Sequence, residues 1–126
     1  MRVVGRQKDV IIRGGRNVYP ARIEALALRH AAIERAAAFP LADPRLGERV
    51  CLAVVLRKNK RVEPEAILQH LDMAGLSKYD MPEFIMSVKE MPLTASGKVR
   101  KGELVRRVEE DTLRPVPVRF LPPSPS

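Results

Sequence analysis

The residues best suited to chemistry lie near the C-terminal end, in residues 92–98, Pro-Leu-Thr-Ala-Ser-Gly-Lys. Gly97 has no Cβ atom and so permits a tight turn, and Pro92 fixes the backbone where the preceding strand is expected to end. Such a turn would hold the Lys98 ammonium at a loop tip, as a compact charge on a flexible stem. The alternative is an ordinary surface loop with a solvated lysine. This stretch alone does not decide between them.

A second glycine-containing turn lies near the N-terminus. Gly14 and Gly15 separate two short β-rich runs, at residues 10–12 and 18–19, and this pattern predicts a β-hairpin. The two glycines would let the backbone turn with positive φ, or let a ligand approach closely. A plain solvent-facing hairpin tip is the alternative.

Other kinds of catalytic site find no support. A phosphate-binding loop of the Gly-x-x-x-x-Gly-Lys-Ser/Thr type would need glycine and a hydroxyl where this chain has Pro92 and Val99. His30, His70 and Cys51 show no metal-ligand spacing, so no metal site is expected. The histidines also offer no base-and-orienter pair for a nucleophile. His30 is interpreted instead as a favourable charge at a helix C-terminus.

Composition and charge limit the class of protein. The 126 residues fit one domain with its own core. The net charge of +8 favours a polyanionic partner such as a nucleotide or phosphorylated cofactor. Nucleic acid is disfavoured because Lys and Arg are dispersed and aromatic residues make up only 4%. No apolar run is long enough to span a membrane. The single cysteine, Cys51, indicates a reducing compartment and hence a cytoplasmic location.

The pattern of apolar residues predicts an α+β fold, in which an N-terminal β-hairpin and a small, mostly antiparallel sheet are flanked by about three helices. Helices are expected over residues 20–30, from Pro64 to about residue 75, and after Lys98. Strands are expected over residues 33–39, 50–56 and 84–89, the first ended by Pro40 and the second buried on both faces. The domain is predicted to span residues 1–112, and residues 113–126 are predicted to be a proline-rich extended or disordered tail.

Taken together, the two glycine-containing turns resemble a known family. Residues 5–24, Gly-Arg-Gln-Lys-Asp-Val-Ile-Ile-Arg-Gly-Gly-Arg-Asn-Val-Tyr-Pro-Ala-Arg-Ile-Glu, resemble the hinge motif of the AMP-forming acyl-CoA synthetases. Residues 92–98 resemble the C-terminal catalytic-lysine motif of the same superfamily, which also contains luciferases and the adenylation domains of peptide synthetases. Residues 43–55 and 76–82 match in order and spacing, so the resemblance covers about residues 4–110.

The resemblance implies a fold and an activity. Members make an acyl-adenylate from ATP and a carboxylic acid, then transfer the acyl group to the thiol of CoA or of a carrier-protein pantetheine. A large N-terminal adenylation domain holds ATP and the acid, and a small C-terminal domain acts as a mobile lid. The chain resembles that lid alone, so by itself it is expected to be inactive. Mg²⁺ is expected to accompany ATP and to be bound outside this domain.

The resemblance also implies roles for individual residues. Lys98 matches the lysine that reaches the carboxylate and α-phosphate during adenylation. Lys8 occupies the hinge position, and Arg6 matches the arginine that contacts the nucleotide. Gly15 corresponds to the glycine beside the pantetheine tunnel. Its neighbours Gly14 and Arg16 are the further CoA-binding candidates, with Arg16 facing CoA phosphates.

One residue departs from the family pattern, and two other functions stay open. Arg22 stands where members usually carry the first glutamate of a Glu-Ile-Glu sequence, whereas Glu24 keeps the second. An arginine at position 22 is expected to alter a local ion pair or a contact with the large domain. The alternatives to a CoA ligase are the lid of an adenylation domain that loads a carrier protein, and a stand-alone module that binds polyanions without catalysis.

Overall fold

Parallel and antiparallel strands form one six-stranded sheet, with helices on both of its faces. The computed structural model describes residues 10–43 and 47–118. Within these ranges the strands are β1 (Ile11–Arg13), β2 (Arg16–Val18), β3 (Ile33–Asp43), β4 (Gly47–Leu56), β5 (Phe84–Ser87) and β6 (Val116–Pro117). The helices are α1 (Pro20–Ala27), α2 (Pro64–Met73) and α3 (Lys101–Glu109), with a 3₁₀ helix at Lys78–Asp80.

Along the sheet the strands follow the path β2-β1-β4-β5-β6, and β3, which lies off this path, pairs with β4. Four of the five strand pairings are antiparallel. The pairing of β4 with β5 is parallel, with Leu52 opposite Ile85. The predicted α+β fold, with its hairpin, its mostly antiparallel sheet and its three helices, is therefore confirmed.

Strand β4 lies at the centre of the core. Its side chains alternate between the two faces of the sheet, as a period of two requires. Val50, Leu52 and Val54 belong to one apolar cluster, which includes buried residues of α1 and α2. Cys51 and Ala53 belong to a second cluster, which contains the fully buried Leu104 of α3. The prediction that this strand is buried on both faces is confirmed.

The prediction that Pro40 ends its strand is wrong, because β3 runs on to Asp43 with Pro40 opposite Val50. β3 pairs with β4 only, among the described residues, so one of its sides lies at the edge of the sheet. The Ala38 N–H points to that side and donates to a carboxylate of α1 rather than to β4. Residues two apart share a side, so the Pro40 nitrogen faces the edge too. No ladder hydrogen bond is lost there.

Helix boundaries differ from the predictions by a few residues. Both α1 and α2 begin with a proline, whose missing N–H has no helical acceptor at that position. α1 ends at Ala27, not at His30, because the next amides bond to carbonyls three residues back, with Arg29 N–H on Leu26 and His30 N–H on Ala27. This tighter hydrogen bonding is a common way for a helix to end.

The proline-rich stretch after α3 is partly described. Val116 and Pro117 are extended and pair with Ile85 and Phe84 of β5, and the Val118 N–H donates to the Glu83 carbonyl at 3.0 Å. Residues 119–126 lie outside the described part of the chain.

Candidate functional site

The loop that carries Lys98 is a small hairpin with a three-residue turn. The Thr94 N–H donates to the Lys98 carbonyl at 2.8 Å, and the Gly97 N–H donates to the Thr94 carbonyl at 2.9 Å. Gly97 has φ +91°, the left-handed conformation that closes a turn of this length. The turn that the sequence predicts at this glycine is confirmed.

The base of this loop is fixed as well as its tip. Leu93 and Val99 form an isolated antiparallel bridge, and the Arg100 N–H donates to the Pro92 carbonyl at 2.7 Å. Helix α3 begins one residue later. The backbone on both sides of Lys98 is thus hydrogen-bonded, although the loop lies on the surface.

The Lys98 side chain is exposed. Within residues 10–43 and 47–118 its ammonium forms no ion pair or hydrogen bond, in contrast to Lys101, whose Nζ lies 2.7 Å from a Glu24 carboxylate oxygen. A fixed backbone thus presents a cation that has no partner in the described part of the chain. Such an arrangement can place positive charge against an anionic group brought by another domain.

The second loop is the hairpin of β1 and β2. Arg13 lies opposite Arg16, and Gly14 and Gly15 form a two-residue turn between them. Their φ values are +55° and +86°, and a positive φ at both positions is what a type I′ turn requires. A Cβ atom added to Gly15 would meet no atom within 4 Å. Packing against the described residues therefore does not require the absence of a side chain at Gly15.

The neighbouring Arg16 is held by the connector before β5. Its Nε donates to Asp80 Oδ1 at 2.9 Å, and its guanidinium carbon lies 5.5 Å from the centre of the Tyr79 ring. Its hydrogen bond to Asp80 raises the pKa of the guanidinium above its ordinary value. Among the described residues only its Nε has a hydrogen-bond partner, so its two terminal nitrogens could meet an anion.

Residues 22–98 match the family model described as the AMP-binding enzyme C-terminal domain. The chain belongs to this family. The resemblance stated from the two glycine-containing motifs is thereby confirmed.

Several of the similar proteins are acyl-CoA ligases or synthetases by name. The medium-chain acyl-CoA ligase of Mus musculus mitochondria is 36% identical over 109 residues, which are 86% of this chain and 18% of that protein. The medium-chain fatty-acid–CoA ligase of Escherichia coli is 34% identical over 116 residues, 88% of this chain and 20% of that protein. The crystal structure of a Brucella canis acyl-CoA synthetase superposes with a TM-score of 0.76 at 31% identity, over 86% of this chain and 20% of that one. The chain therefore spans about a fifth of the length of these relatives.

Two of the expected site residues precede the described part of the chain. Arg6, the nucleotide-binding candidate, and Lys8, the hinge candidate, lie outside the described residues. Lys98 lies on one hairpin, and Gly14, Gly15 and Arg16 lie on another. Their roles stay predictions.

Sequence reasoning missed the part played by Glu24. Its Oε2 accepts hydrogen bonds from the Ala38 N–H of β3 at 2.8 Å and from Lys101 Nζ of α3 at 2.7 Å. The sequence does place Glu24 beside the buried Ile23 in an amphipathic helix, which indicates that its side chain lies near the core. The two partners of Glu24 are distant in sequence, so the pattern does not identify them. Arg22, which departs from the family pattern, donates a hydrogen bond from Nη2 to the Gly75 carbonyl just after α2, at 3.3 Å.

Both histidines bond to the backbone near the end of α1. His30 Nδ1 accepts the Ala32 N–H at 3.0 Å. The interpretation of His30 as a charge at a helix C-terminus stays a prediction. His70 Nε2 lies 2.8 Å from the Leu26 carbonyl in the last turn of α1. The two histidine rings pack edge to face, with their centres 5.0 Å apart.

No group of three His, Cys, Asp or Glu side chains that could hold a metal occurs in the described ranges. Cys51 is buried, and this burial raises the pKa of its thiol to about 12, which makes it a poor nucleophile. None of the helices over the described residues is long and apolar enough to cross a membrane.

Proposed function

We propose that this chain is the mobile lid domain of an ATP-dependent, AMP-forming carboxylic acid–CoA ligase, and that Lys98 provides the charge needed for adenylation. The observation that carries the proposal is the Lys98 loop. Hydrogen bonds fix its backbone on both sides, while the ammonium is exposed and without a partner among the described residues.

The first half-reaction explains why an exposed cation belongs there. A carboxylate oxygen of the acid attacks the α-phosphorus of ATP, an O–P bond forms, and the bond to the β-phosphate oxygen breaks to release pyrophosphate. Two anionic groups must approach each other, and charge on the phosphoryl oxygens increases in the transition state. An ammonium placed between them stabilises that state, by about 10²–10³-fold for a single well-placed donor.

The second half-reaction would use the hairpin of β1 and β2. The thiol of CoA loses its proton and attacks the acyl carbon, and the C–O bond to AMP breaks. Among the described residues there is open space beside Gly15, which suits an approach by the slender pantetheine arm. Rotation of the lid about Lys8 would exchange the two loops at the active site, where the adenylation domain supplies the nucleotide and Mg²⁺ sites.

Medium-chain fatty acids are the first acids to test, because the relatives that match this chain carry that specificity in their names. The acid pocket would belong to the large domain, so the acid is proposed from sequence similarity to these relatives and not from residues of this chain. A cytoplasmic location is part of the same proposal.

Lys98→Ala in the complete ligase tests the role of the lysine. We expect acid-dependent exchange of pyrophosphate into ATP to fall by about 10²-fold or more, while thioester formation from supplied acyl-adenylate stays within about threefold of wild type. Lys60→Ala is the matched control, because Lys60 is another exposed lysine in a different loop. Equal loss of both half-reactions in Lys98→Ala, or none, would overturn the proposal.

The thiol acceptor is tested separately. The wild-type ligase is given an acyl-adenylate with either free CoA or a phosphopantetheinylated carrier protein. Faster transfer to CoA is expected. Transfer to the carrier protein alone would show that the chain is the lid of a carrier-loading adenylation domain.

A further inference from the structure

A single carboxylate oxygen joins three elements of this domain. Glu24 Oε2, on α1, accepts the Ala38 N–H of β3 at 2.8 Å and the Lys101 ammonium of α3 at 2.7 Å. The Glu24 and Lys101 side chains are 21% and 25% exposed. Because both are largely shielded from water, their attraction is screened less than that of a surface pair.

The first of these contacts completes the sheet. Ala38 is fully buried, and its N–H faces the edge of β3, where no strand pairs with it among the described residues. A buried amide without an acceptor is costly, so a group from α1 must reach it. The Glu24 carboxylate does so and is thereby held at a defined position against the sheet.

The second contact reaches the Lys98 loop. Lys101 is the first residue of α3 and follows Lys98 by three positions. The intervening backbone is fixed by the bridge of Val99 to Leu93 and by the Arg100 N–H on the Pro92 carbonyl. A displacement of Lys101 would therefore be passed to Lys98 along a short hydrogen-bonded path.

We propose that Glu24 and Lys101 are positioning residues for Lys98. Their ion pair anchors the start of α3, and with it the Lys98 loop, to α1 and to the free edge of β3. This inference rests on the adenylation role proposed for Lys98. It adds that the motif of residues 5–24, which contains the Gly14–Gly15 turn, is connected to the Lys98 motif by the ion pair of Glu24 on α1 with Lys101.

The test uses Lys101→Met in the complete ligase, a change that keeps the aliphatic stem and removes the charge. We expect kcat for pyrophosphate exchange to fall about tenfold, with KM for ATP changed less than twofold. Thioester formation from supplied acyl-adenylate should stay near wild type. Lys101→Arg should restore at least half of the lost rate. A general loss of folding would instead lower both half-reactions together.

A double-mutant cycle with Glu24→Gln separates positioning from direct contact with the nucleotide. If Lys101 acts through Glu24, Lys101→Met should cause less than a twofold further loss in the Glu24→Gln background. Multiplicative losses would overturn the inference, because Lys101 would then act independently of Glu24. Arg114→Met is the control, since Arg114 forms a comparable but exposed pair with Asp111 at 2.9 Å.

The outcomes also distinguish this inference from the function on which it rests. Wild-type exchange in Lys101→Met, together with a large loss in Lys98→Ala, would overturn the positioning role and leave the function intact. Wild-type exchange in Lys98→Ala would overturn the function itself.

Discussion

Thr94 and Lys98 are joined by two hydrogen bonds across the turn between them. The Thr94 N–H donates to the Lys98 carbonyl at 2.8 Å, and the Lys98 N–H donates to Thr94 Oγ1 at 3.1 Å. The same hydroxyl lies 3.0 Å from Ser96 Oγ. The threonine side chain thus supplies the acceptor that the Lys98 amide would otherwise lack within the loop.

Replacing this threonine should loosen the lysine without removing it. Thr94→Val keeps the shape of the side chain but removes the acceptor, so we expect a loss of about 1 kcal/mol in the free energy of unfolding. Adenylation should fall several-fold, measured as pyrophosphate exchange in the complete ligase. Thr94→Ser keeps the hydroxyl and should retain most of the rate. Equal rates for the valine variant and wild type would contradict the role of this hydrogen bond.

The sequence predicted this turn correctly, because its information is local. Gly97 follows two small residues and comes shortly before an amphipathic stretch. Both features influence the backbone conformation of residues only a few positions away. The Gly14–Gly15 hairpin was predictable for the same reason. In each case the chemistry of one or two glycines is enough to select the turn.

The errors arose where distant elements decide the outcome. Pro40 is a strand breaker in local terms, yet it lies in β3 because its nitrogen faces an edge with which no described strand pairs. That edge depends on which strands pair with β4. The partner of Glu24 could not be found for a similar reason, since Lys101 is 77 positions away and α3 must first pack on the opposite face of the sheet.

Three glycines with similar backbone conformations allow a matched comparison. Gly15, Gly75 and Gly97 have φ of +86°, +105° and +91°, and an added Cβ would meet no atom closer than 4.0 Å at any of them. Alanine should therefore cost about 1–2 kcal/mol of stability at each, from backbone strain alone.

Their effects on the two half-reactions should differ. We expect Gly97→Ala to slow mainly adenylation, Gly15→Ala to slow mainly thioester formation, and Gly75→Ala to change neither beyond its effect on stability. Urea unfolding measures the stability, and the two half-reactions are assayed separately in the complete ligase. The assignment of Gly15 to the thiol path would be wrong if Gly15→Ala and Gly75→Ala gave the same kinetic profile.

The engagement of Arg16 by Asp80 leads to a prediction about CoA. If the terminal nitrogens of Arg16 contact CoA phosphates, Arg16→Met should raise KM for CoA about tenfold and leave KM for ATP unchanged. The pair is partly exposed, at 49% and 18%, so stability should change by less than about 1 kcal/mol. Arg29→Met, at an exposed arginine after α1, is the control. An unchanged KM for CoA would remove Arg16 from the binding site.

Acid should weaken the domain through Glu103 on α3. Hydrogen bonds from Arg106 and then Arg107 lower the pKa of Glu103 from 4.5 to about 2. Because the folded-state pKa lies below the unfolded one, the stabilisation is present in full above about pH 4.5 and is lost as the pH falls towards 2.

Glu103→Gln should therefore be less stable than wild type at pH 6 and equally stable near pH 2, measured by urea unfolding. Glu109→Gln makes the same change of charge on the same helix at an exposed residue with no ion pair among the described residues, and its difference from wild type should vary much less with pH. A difference for Glu103→Gln that stays constant from pH 6 to pH 2 would show that the ion pairs do not lower this pKa.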